Sequence, residues 1–184
     1  MNYLHPTIKQ FQYYKSLGNK TIAQLSDQQL FWKYNNESNS IAMIIKHIAG
    51  NMLSRWTDFR TTDGEKDWRN RELEFVDDIK TNTEIIAYWE KGWACLFDAL
   101  NSITDDDLEE IIYIRNQGHT IIEAINRQLA HYPYHIGQIV FIGKMLTDSA
   151  WLSLSIPRGG SHMYNVDKFS REKDGSHYTD EFLK

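Results

Sequence analysis

Two histidines stand four residues apart in the segment QLAHYPYHIGQ, residues 128–138. The segment lies within a run of helical apolar periodicity over residues 121–146, so both imidazoles are expected on one helix face, with Cβ atoms about 5–6 Å apart. At this spacing His131 and His135 can point at one cation. One further protein ligand would leave a coordination position open for water or substrate, which is typical of a reactive metal site. The alternative is that either ring is a core histidine bonded to a backbone carbonyl.

Pro133 lies between these two histidines. Inside a helix, proline lacks the N–H donor and clashes with the carbonyl four residues back, which here belongs to Leu129. We therefore predict a kink or a bulge at the histidine pair. Such an irregularity needs a compensating reason, and this favours a functional site.

A third histidine, His47, lies in the middle of another predicted helix, which covers residues 39–59. Asn51 and Arg55 follow it at helical spacing on the same stripe. An apolar helix face interrupted by these three polar residues is typical of a helix that lines a polar cavity. The alternative is a stripe at the boundary of the core, half buried and half in water.

The apolar periodicity predicts four long helices, and a Thr120–Glu123 capping box marks the start of the last one. Four amphipathic helices predict an all-α four-helix bundle, whose metal sites are commonly built from side chains on facing helices. His47 is then the natural partner of the histidine pair if their two helices are neighbours. The predicted helices cover residues 7–25, 39–59, 78–101 and 121–146.

The remaining segments add detail to this single predicted domain of residues 1–184. Residues 111–118 are β-branched and aromatic and then turn-forming, which predicts a short β-hairpin with its turn at residues 116–118. Residues 60–80 carry charges of both signs and are predicted to form a solvated loop, of the kind used as a lid or an oligomer contact. The polar residues 164–184 are predicted to form a mobile tail.

Composition excludes several classes of function. The chain has 184 residues, 41% of them hydrophobic, and a formal net charge of -5 without a Lys/Arg cluster, so we expect no nucleic-acid binding. No apolar run approaches the roughly 20 residues needed to span a bilayer, so we expect no membrane partner. The single cysteine, Cys95, excludes an internal disulfide and fits a reducing compartment. These features, with no secretory signal visible, predict a cytoplasmic protein with a small-molecule partner.

Longer strings around the histidines resemble a known family. They resemble the DinB-like (YfiT-like) metal enzyme superfamily, and more narrowly an uncharacterised bacterial branch that shares the Gly-Asn-Met, Asp-Gly-Glu and Ser-Ile-Pro-Arg-Gly stretches. The similarity extends from the second helix to about residue 161. The strings are HIAGNMLSRWTDF at residues 47–59, TTDGE at 61–65, AHYPYHIGQIV at 130–140 and SIPRG at 155–159.

The resemblance implies a four-helix bundle of the DinB-like type, frequently a homodimer. Carried over residue by residue, it implies that His47, His131 and His135 hold a divalent metal ion, commonly zinc or nickel. Characterised relatives include S-transferases that use low-molecular-weight thiols such as bacillithiol or mycothiol, and a mycothiol-dependent maleylpyruvate isomerase. Many other members have no known reaction. The resemblance does not imply DNA binding, and Pro133 is a departure that affects the expected metal geometry.

Three neutral imidazoles leave the full charge on a metal, so a thiol or water in the open position would have its pKa lowered. Activation of a thiol corresponds to an S-transferase, and activation of water to a hydrolase. The third alternative is a dimeric module that binds metal or ligand without turnover. No Ser-His-Asp arrangement or general base is visible, so no catalytic side chain is assigned.

Four further residues are predicted around the metal. Asn51, Arg55 and Tyr134 are predicted to contact the substrate or the thiol at the cavity. Gln138 lies three residues past His135 and is predicted to hydrogen-bond its ring.

Overall fold

A computed structural model describes residues 3–183, which are mostly helical. Within this range the chain forms six α-helices and one two-stranded antiparallel sheet. The sheet directly precedes the longest helix. The helices are α1 (Leu4–Ile22), α2 (Asp27–Leu30), α3 (Ile41–Trp56), α4 (Asn82–Asn101), α5 (Ile121–Thr147) and α6 (Ser161–Phe169), and the strands are β1 (Ile111–Ile114) and β2 (Gln117–Thr120).

Side-chain caps fix where the helices that carry the site begin. Ser40 accepts a hydrogen bond from the backbone N–H of Met43 at the start of α3. Thr120 and Glu123 form the predicted capping box at the start of α5. Each cap satisfies a backbone donor that has no partner inside the helix. The start of α5 is therefore confirmed.

Other helix ends differ from the predictions. α1 begins at Leu4, because Pro6 falls in the first turn, where a missing N–H costs nothing. α4 begins at Asn82 rather than residue 78, because its cap is Thr81. α3 ends at Trp56 rather than residue 59, and Asp58 then adopts a positive φ of 46°.

The long helices pack as neighbours around one apolar core. α3 packs most extensively against α4, α1 packs against α5, and smaller contacts join α3 to α5 and α1 to α4. Gly92 allows the closest approach, because a Cβ at this position would lie 2.8 Å from the Cα of Ala49. The four-helix bundle stays a prediction, while the predominance of helix is confirmed. The largest fully buried side chains are Trp89, Trp93, Tyr132 and Phe11.

The predicted β-hairpin is present, with Ile111 paired to Thr120 and Ile114 to Gln117. Its turn is Arg115–Asn116 and not the predicted residues 116–118. Both turn residues have positive φ, at 56° and 59°, which is the backbone of a type I′ turn. The sequence prediction placed the turn too late because it gave weight to the glycine, which lies within β2.

A kink or a bulge was predicted at Pro133, and the bulge is absent, while the kink stays a prediction. α5 is α-helical at every residue of Ile121–Thr147 and contains no π or 3-10 segment. Its buried side packs along α1 and α3, and this packing outweighs the loss of one backbone hydrogen bond. The helical spacing between the two histidines is therefore preserved.

The segment between α3 and α4 is less solvated than predicted. It contains a short 3-10 helix, Glu72–Phe75, that packs against α3. The side chains of Arg69 and Glu74 are only 3% and 7% exposed. Arg69 and Glu74, which were predicted to lie in a solvated loop, are therefore buried together.

The C-terminal residues lie along α1. Asp180 forms an ion pair with Lys9 at 2.7 Å, and the carbonyl oxygen of Phe182 accepts from Lys20 at 2.6 Å. The mobility of residues 164–184 stays a prediction. No helix within residues 3–183 combines the length and apolar character needed to cross a bilayer.

Candidate metal centre

The fold brings three histidines together between α3 and α5. One ring nitrogen from each of His47, His131 and His135 lies within 4.8 Å of the others. The Nε2 atoms of His131 and His135 are 3.1 Å apart. Nitrogens on a tetrahedral ion at 2.0–2.1 Å would be separated by roughly 3.3 Å, so this pair already has the spacing of two ligands. Three nitrogen donors match the donor set of zinc or nickel.

Burial keeps two of these imidazoles neutral. Removal from water, reinforced by the neighbouring His135 and His47, lowers the pKa of His131 to about 4. Burial also lowers the pKa of His135, although its hydrogen bond to Gln138 opposes the change. At neutral pH both rings therefore have the lone pair that a metal ligand needs.

Glu74 fixes the orientation of His47. The Nδ1 of His47 lies 2.8 Å from Glu74 Oε2, which leaves Nε2 as the free ring nitrogen. Arg69 donates to the same carboxylate from Nε at 2.7 Å and from Nη2 at 3.1 Å. Burial raises the pKa of Glu74, but the hydrogen bonds from His47 and Arg69 outweigh it, so the net shift is downward. A carboxylate behind a histidine is the usual support of a metal ligand.

Glu74 was missed in the sequence because its segment was interpreted as a solvated loop. The available signal was Gly50, an isolated glycine within the α3 pattern, three residues after His47. A glycine inside a helix costs stability, so it indicates that something packs closely there. The sequence alone did not identify the side chain that packs against Gly50.

Asn51 and Arg55 follow His47 on α3, as predicted, and both are buried. Asn51 Oδ1 accepts from the hydroxyl of Tyr132 at 3.2 Å. Arg55 donates to the carbonyl oxygen of Gly64 and to Glu65 Oε2 at 3.3 Å. Both side chains line the cavity, but these hydrogen bonds also give them structural partners.

A carboxylate connects the loop after α3 to the hairpin. Asp63 accepts from the backbone N–H groups of Arg115 and Asn116, each at 2.8 Å. The N–H of Gly64 donates to the carbonyl oxygen of Tyr113 at 2.7 Å. These bonds hold the hairpin turn over the loop, and Arg115 thereby reaches the rim of the metal centre.

A cavity of about 220 Å³ opens beside the histidines, between α3, α5, the loop and the hairpin. No Asp or Glu lines it within the part of the chain that the structure describes. Five of the nine lining residues are arginines, and this positive lining favours an anion. The lining residues are His47, Asn51, Arg55, Arg69, Arg71, Arg115, Arg127, Gln128 and His131.

A family model described as a protein of unknown function, DUF1572, matches residues 1–160. The chain belongs to the DUF1572 family. DUF1572 is a family related to the DinB-like proteins, while membership of the DinB-like (YfiT-like) superfamily stays a prediction. No curated protein and no solved structure matches the chain. All residues of the candidate centre lie within the segment that this family describes, whereas α6 lies beyond it.

The last two predicted residues of the site differ in their placement. Gln138 Oε1 lies 2.9 Å from Nδ1 of His135, so the predicted hydrogen bond is present. Tyr134 is 64% exposed and does not line the cavity. Its ring instead packs edge-on against His135, with centroids 4.9 Å apart. Tyr134 lies three residues after His131 and directly before His135, so it flanks the histidine face, but its side chain is turned to solvent.

Proposed function

We propose that this protein binds one divalent metal ion, zinc or nickel, through His47, His131 and His135. We further propose that it is a thiol-dependent S-transferase in which the metal activates a low-molecular-weight thiol. The observation that carries the proposal is the set of three ring nitrogens within 4.8 Å of one another, beside a cavity that His47 and His131 line. Three protein ligands leave room for a reactant.

The partners of the histidines support a metal role over that of ordinary core histidines. The Nδ1 atoms of His47 and His135 are engaged by Glu74 and Gln138, respectively. Nε2 is therefore the free ring nitrogen of His47 and of His135, and that of His135 lies 3.1 Å from Nε2 of His131. A core histidine needs one satisfied nitrogen, but it has no need for two neighbouring imidazoles aimed at the same point.

When bound, the divalent ion supplies a Lewis acid that lowers the pKa of a thiol. The chain supplies the surroundings, in particular arginines that attract an anionic reactant. Glu74 is occupied by His47 and Arg69, and Glu65 is occupied by Arg55 and Arg115. With both carboxylates engaged, the described cavity offers no side-chain general base. This supports the S-transferase over a hydrolase that depends on such a base.

The contacts between the four long helices also support the DinB-like assignment. Contacts connect α1 to α5, α5 to α3, α3 to α4 and α4 to α1, as expected for a four-helix bundle with its metal ligands on facing helices. We propose that the chain is a DinB-like bundle in which α3 and α5 carry the ligands.

Metal analysis and a conjugation assay test the proposal together. We expect close to one divalent ion per chain, lost in His47→Ala and retained in His162→Ala, which removes an exposed histidine on α6. Metal-loaded protein should conjugate a model electrophile only when bacillithiol, glutathione or cysteine is added. Turnover of esters without thiol would instead indicate the hydrolase. Metal binding without any turnover would indicate a binding module, and absence of metal would overturn the proposal.

A further inference from the structure

The arginines of the cavity fall into two groups. Arg55 and Arg69 are buried at its base, with side chains 5% and 3% exposed, and both are held by glutamates. Arg71 and Arg115 are at the mouth, with side chains 50% and 58% exposed. Arg127 is also exposed and reaches the mouth from α5. The mouth therefore carries guanidinium groups from three separate segments of the chain.

The mouth arginines are only partly neutralised. Arg115 lies 3.0 Å from Glu65 Oε2, but it shares that oxygen with Arg55 at 3.3 Å. Arg71 has Glu72 at 3.6 Å, a carboxylate that is itself 87% exposed. Arg127 contacts His119 at 3.4 Å and has no carboxylate partner among residues 3–183. The five arginines of the cavity thus outnumber the three glutamates that pair with them, Glu65, Glu72 and Glu74. An anion placed between the mouth arginines would reduce the repulsion that remains.

A buried amide beside the arginines also lacks a partner. Gln128 is 2% exposed and lines the cavity, yet its Oε1 makes no hydrogen bond within the described residues. Buried polar atoms are nearly always hydrogen-bonded, and an exception calls for an explanation. A ligand in the cavity provides one, because the amide can turn either its oxygen or its NH₂ group towards the ligand.

From this arrangement we infer that the cavity binds a small dianionic group, a dicarboxylate or a phosphate, held by Arg71, Arg115 and Arg127 next to the metal. The planar fork of each guanidinium fits the paired oxygens of either group. The cavity of about 220 Å³ has the volume of roughly seven waters, which is enough for such a group. The inference deepens the proposed function, since the dianion would be the acidic part of the thiol or of its acceptor.

Calorimetric titration of metal-free protein tests the inference without relying on activity. The probes are succinate, inorganic phosphate and acetate. We expect succinate or phosphate to bind at least roughly tenfold more tightly than acetate, and the binding to weaken as salt is raised. Arg127→Gln and Arg71→Gln should each weaken it by roughly tenfold, while Arg158→Gln, an exposed arginine outside the cavity, should leave it unchanged. Equal affinity for acetate, or wild-type affinity in Arg127→Gln, would overturn the inference.

The same titration separates this inference from the proposed function. If the histidines hold no metal, the arginines still bind the dianion in metal-free protein. If the arginines do not bind it, metal analysis still reports the histidines. If turnover is observed, inhibition by succinate identifies the reactant that carries the acid groups. Competition against the thiol assigns these groups to the thiol, and competition against the electrophile assigns them to the acceptor.

Discussion

Glu74 packs directly against the backbone of Gly50, so closely that a Cβ on Gly50 would lie 2.4 Å from Glu74 Oε1. Gly50 lies three residues after His47, on the turn of α3 that faces the 3-10 helix. The carboxylate reaches Nδ1 of His47 only because this turn has no side chain. The orientation of a candidate metal ligand therefore depends on the absence of a single methyl group.

Gly50→Ala should displace Glu74 and weaken metal binding by about 10–100-fold, the usual effect of losing the partner of a metal-ligating histidine. The fold should persist, since alanine stabilises a helix interior by up to about 1 kcal/mol relative to glycine. Competition with a chromophoric chelator measures the affinity. Gly137→Ala is the matched control, because a Cβ at this helical glycine of α5 meets nothing within 4 Å. Equal metal affinity in the two variants would contradict the prediction.

Glu74→Gln keeps the size of the side chain and removes its charge. It leaves Arg69 without its closest carboxylate and weakens the acceptor for His47. We expect metal affinity to fall by about 10–100-fold. Glu72→Gln, which alters an 87% exposed carboxylate in the same 3-10 helix, should have no effect. The idea fails if both variants bind metal as tightly as the wild type.

Tyr132→Phe should destabilise the protein by about 1–3 kcal/mol, because it leaves buried hydrogen-bonding groups without a partner. The hydroxyl of Tyr132 donates to Asn51 Oδ1 at 3.2 Å and accepts from Trp56 Nε1 at 3.3 Å. Urea denaturation measures the free energy of unfolding. Tyr134→Phe on the same helix alters a 64% exposed ring and should change that free energy very little. Similar values for the two variants would show that the hydroxyl is dispensable.

Asp63 should make the stability of the protein depend on pH in mild acid. Burial raises its pKa, but the N–H groups of Asn116, Glu65 and Arg115 outweigh burial and lower it below the ordinary value of 3.8. A carboxyl with a lowered folded-state pKa stabilises the protein above its unfolded pKa, and this contribution is lost as the pH falls through the folded pKa. Asp63→Asn should therefore be less stable than wild type at pH 6, and the difference should shrink below about pH 4.

Chemical denaturation between pH 3 and 6 measures this difference. Asp106→Asn is the control, because Asp106 is an exposed residue of the acidic turn before the hairpin. Its difference from wild type should remain small at every pH. A difference for Asp63→Asn that stays constant across the range would show that the carboxylate charge does not stabilise the loop.

Divalent metal should stabilise the folded protein. A ligand that binds only the native state at 100 times its Kd adds about 2.7 kcal/mol to the free energy of unfolding. Thermal unfolding with and without chelator should therefore show a higher Tm for the metal-loaded protein. His131→Ala should abolish the shift, and His162→Ala should retain it. A shift that persists in His131→Ala would place the metal elsewhere.

The features that could be predicted from the sequence are those encoded locally. The i,i+4 spacing of His131 and His135, the Thr120 cap and the β-branched strand 111–114 each depend on neighbours within a few residues. The convergence of His47 with the pair required only that two predicted helices be adjacent. Helix ends were less predictable. The predicted start of α4 was residue 78, whereas the helix begins only after its Thr81 cap.

The surroundings of the histidines could not be predicted, because they depend on tertiary placement. Glu74 and Arg69 each look like solvated charges within their own segment. Their burial follows from the packing of the 3-10 helix on α3. The arginines of the cavity mouth come from the loop, the hairpin and α5, so no single stretch of sequence shows that they meet. An individual charged residue on a surface segment carries no local signal of its partner.

The bonds from Asp63 to the hairpin turn have a consequence for how the chain tolerates changes in length. Surface loops generally accept insertions at little cost. Here the loop after α3 and the turn at Arg115–Asn116 are tied together, and β2 continues directly into α5. One extra residue at either position would shift the backbone, and the hairpin would transmit this shift to the start of the helix that carries His131. The loop after α3 and the hairpin turn should therefore be as intolerant of insertion as the helices themselves.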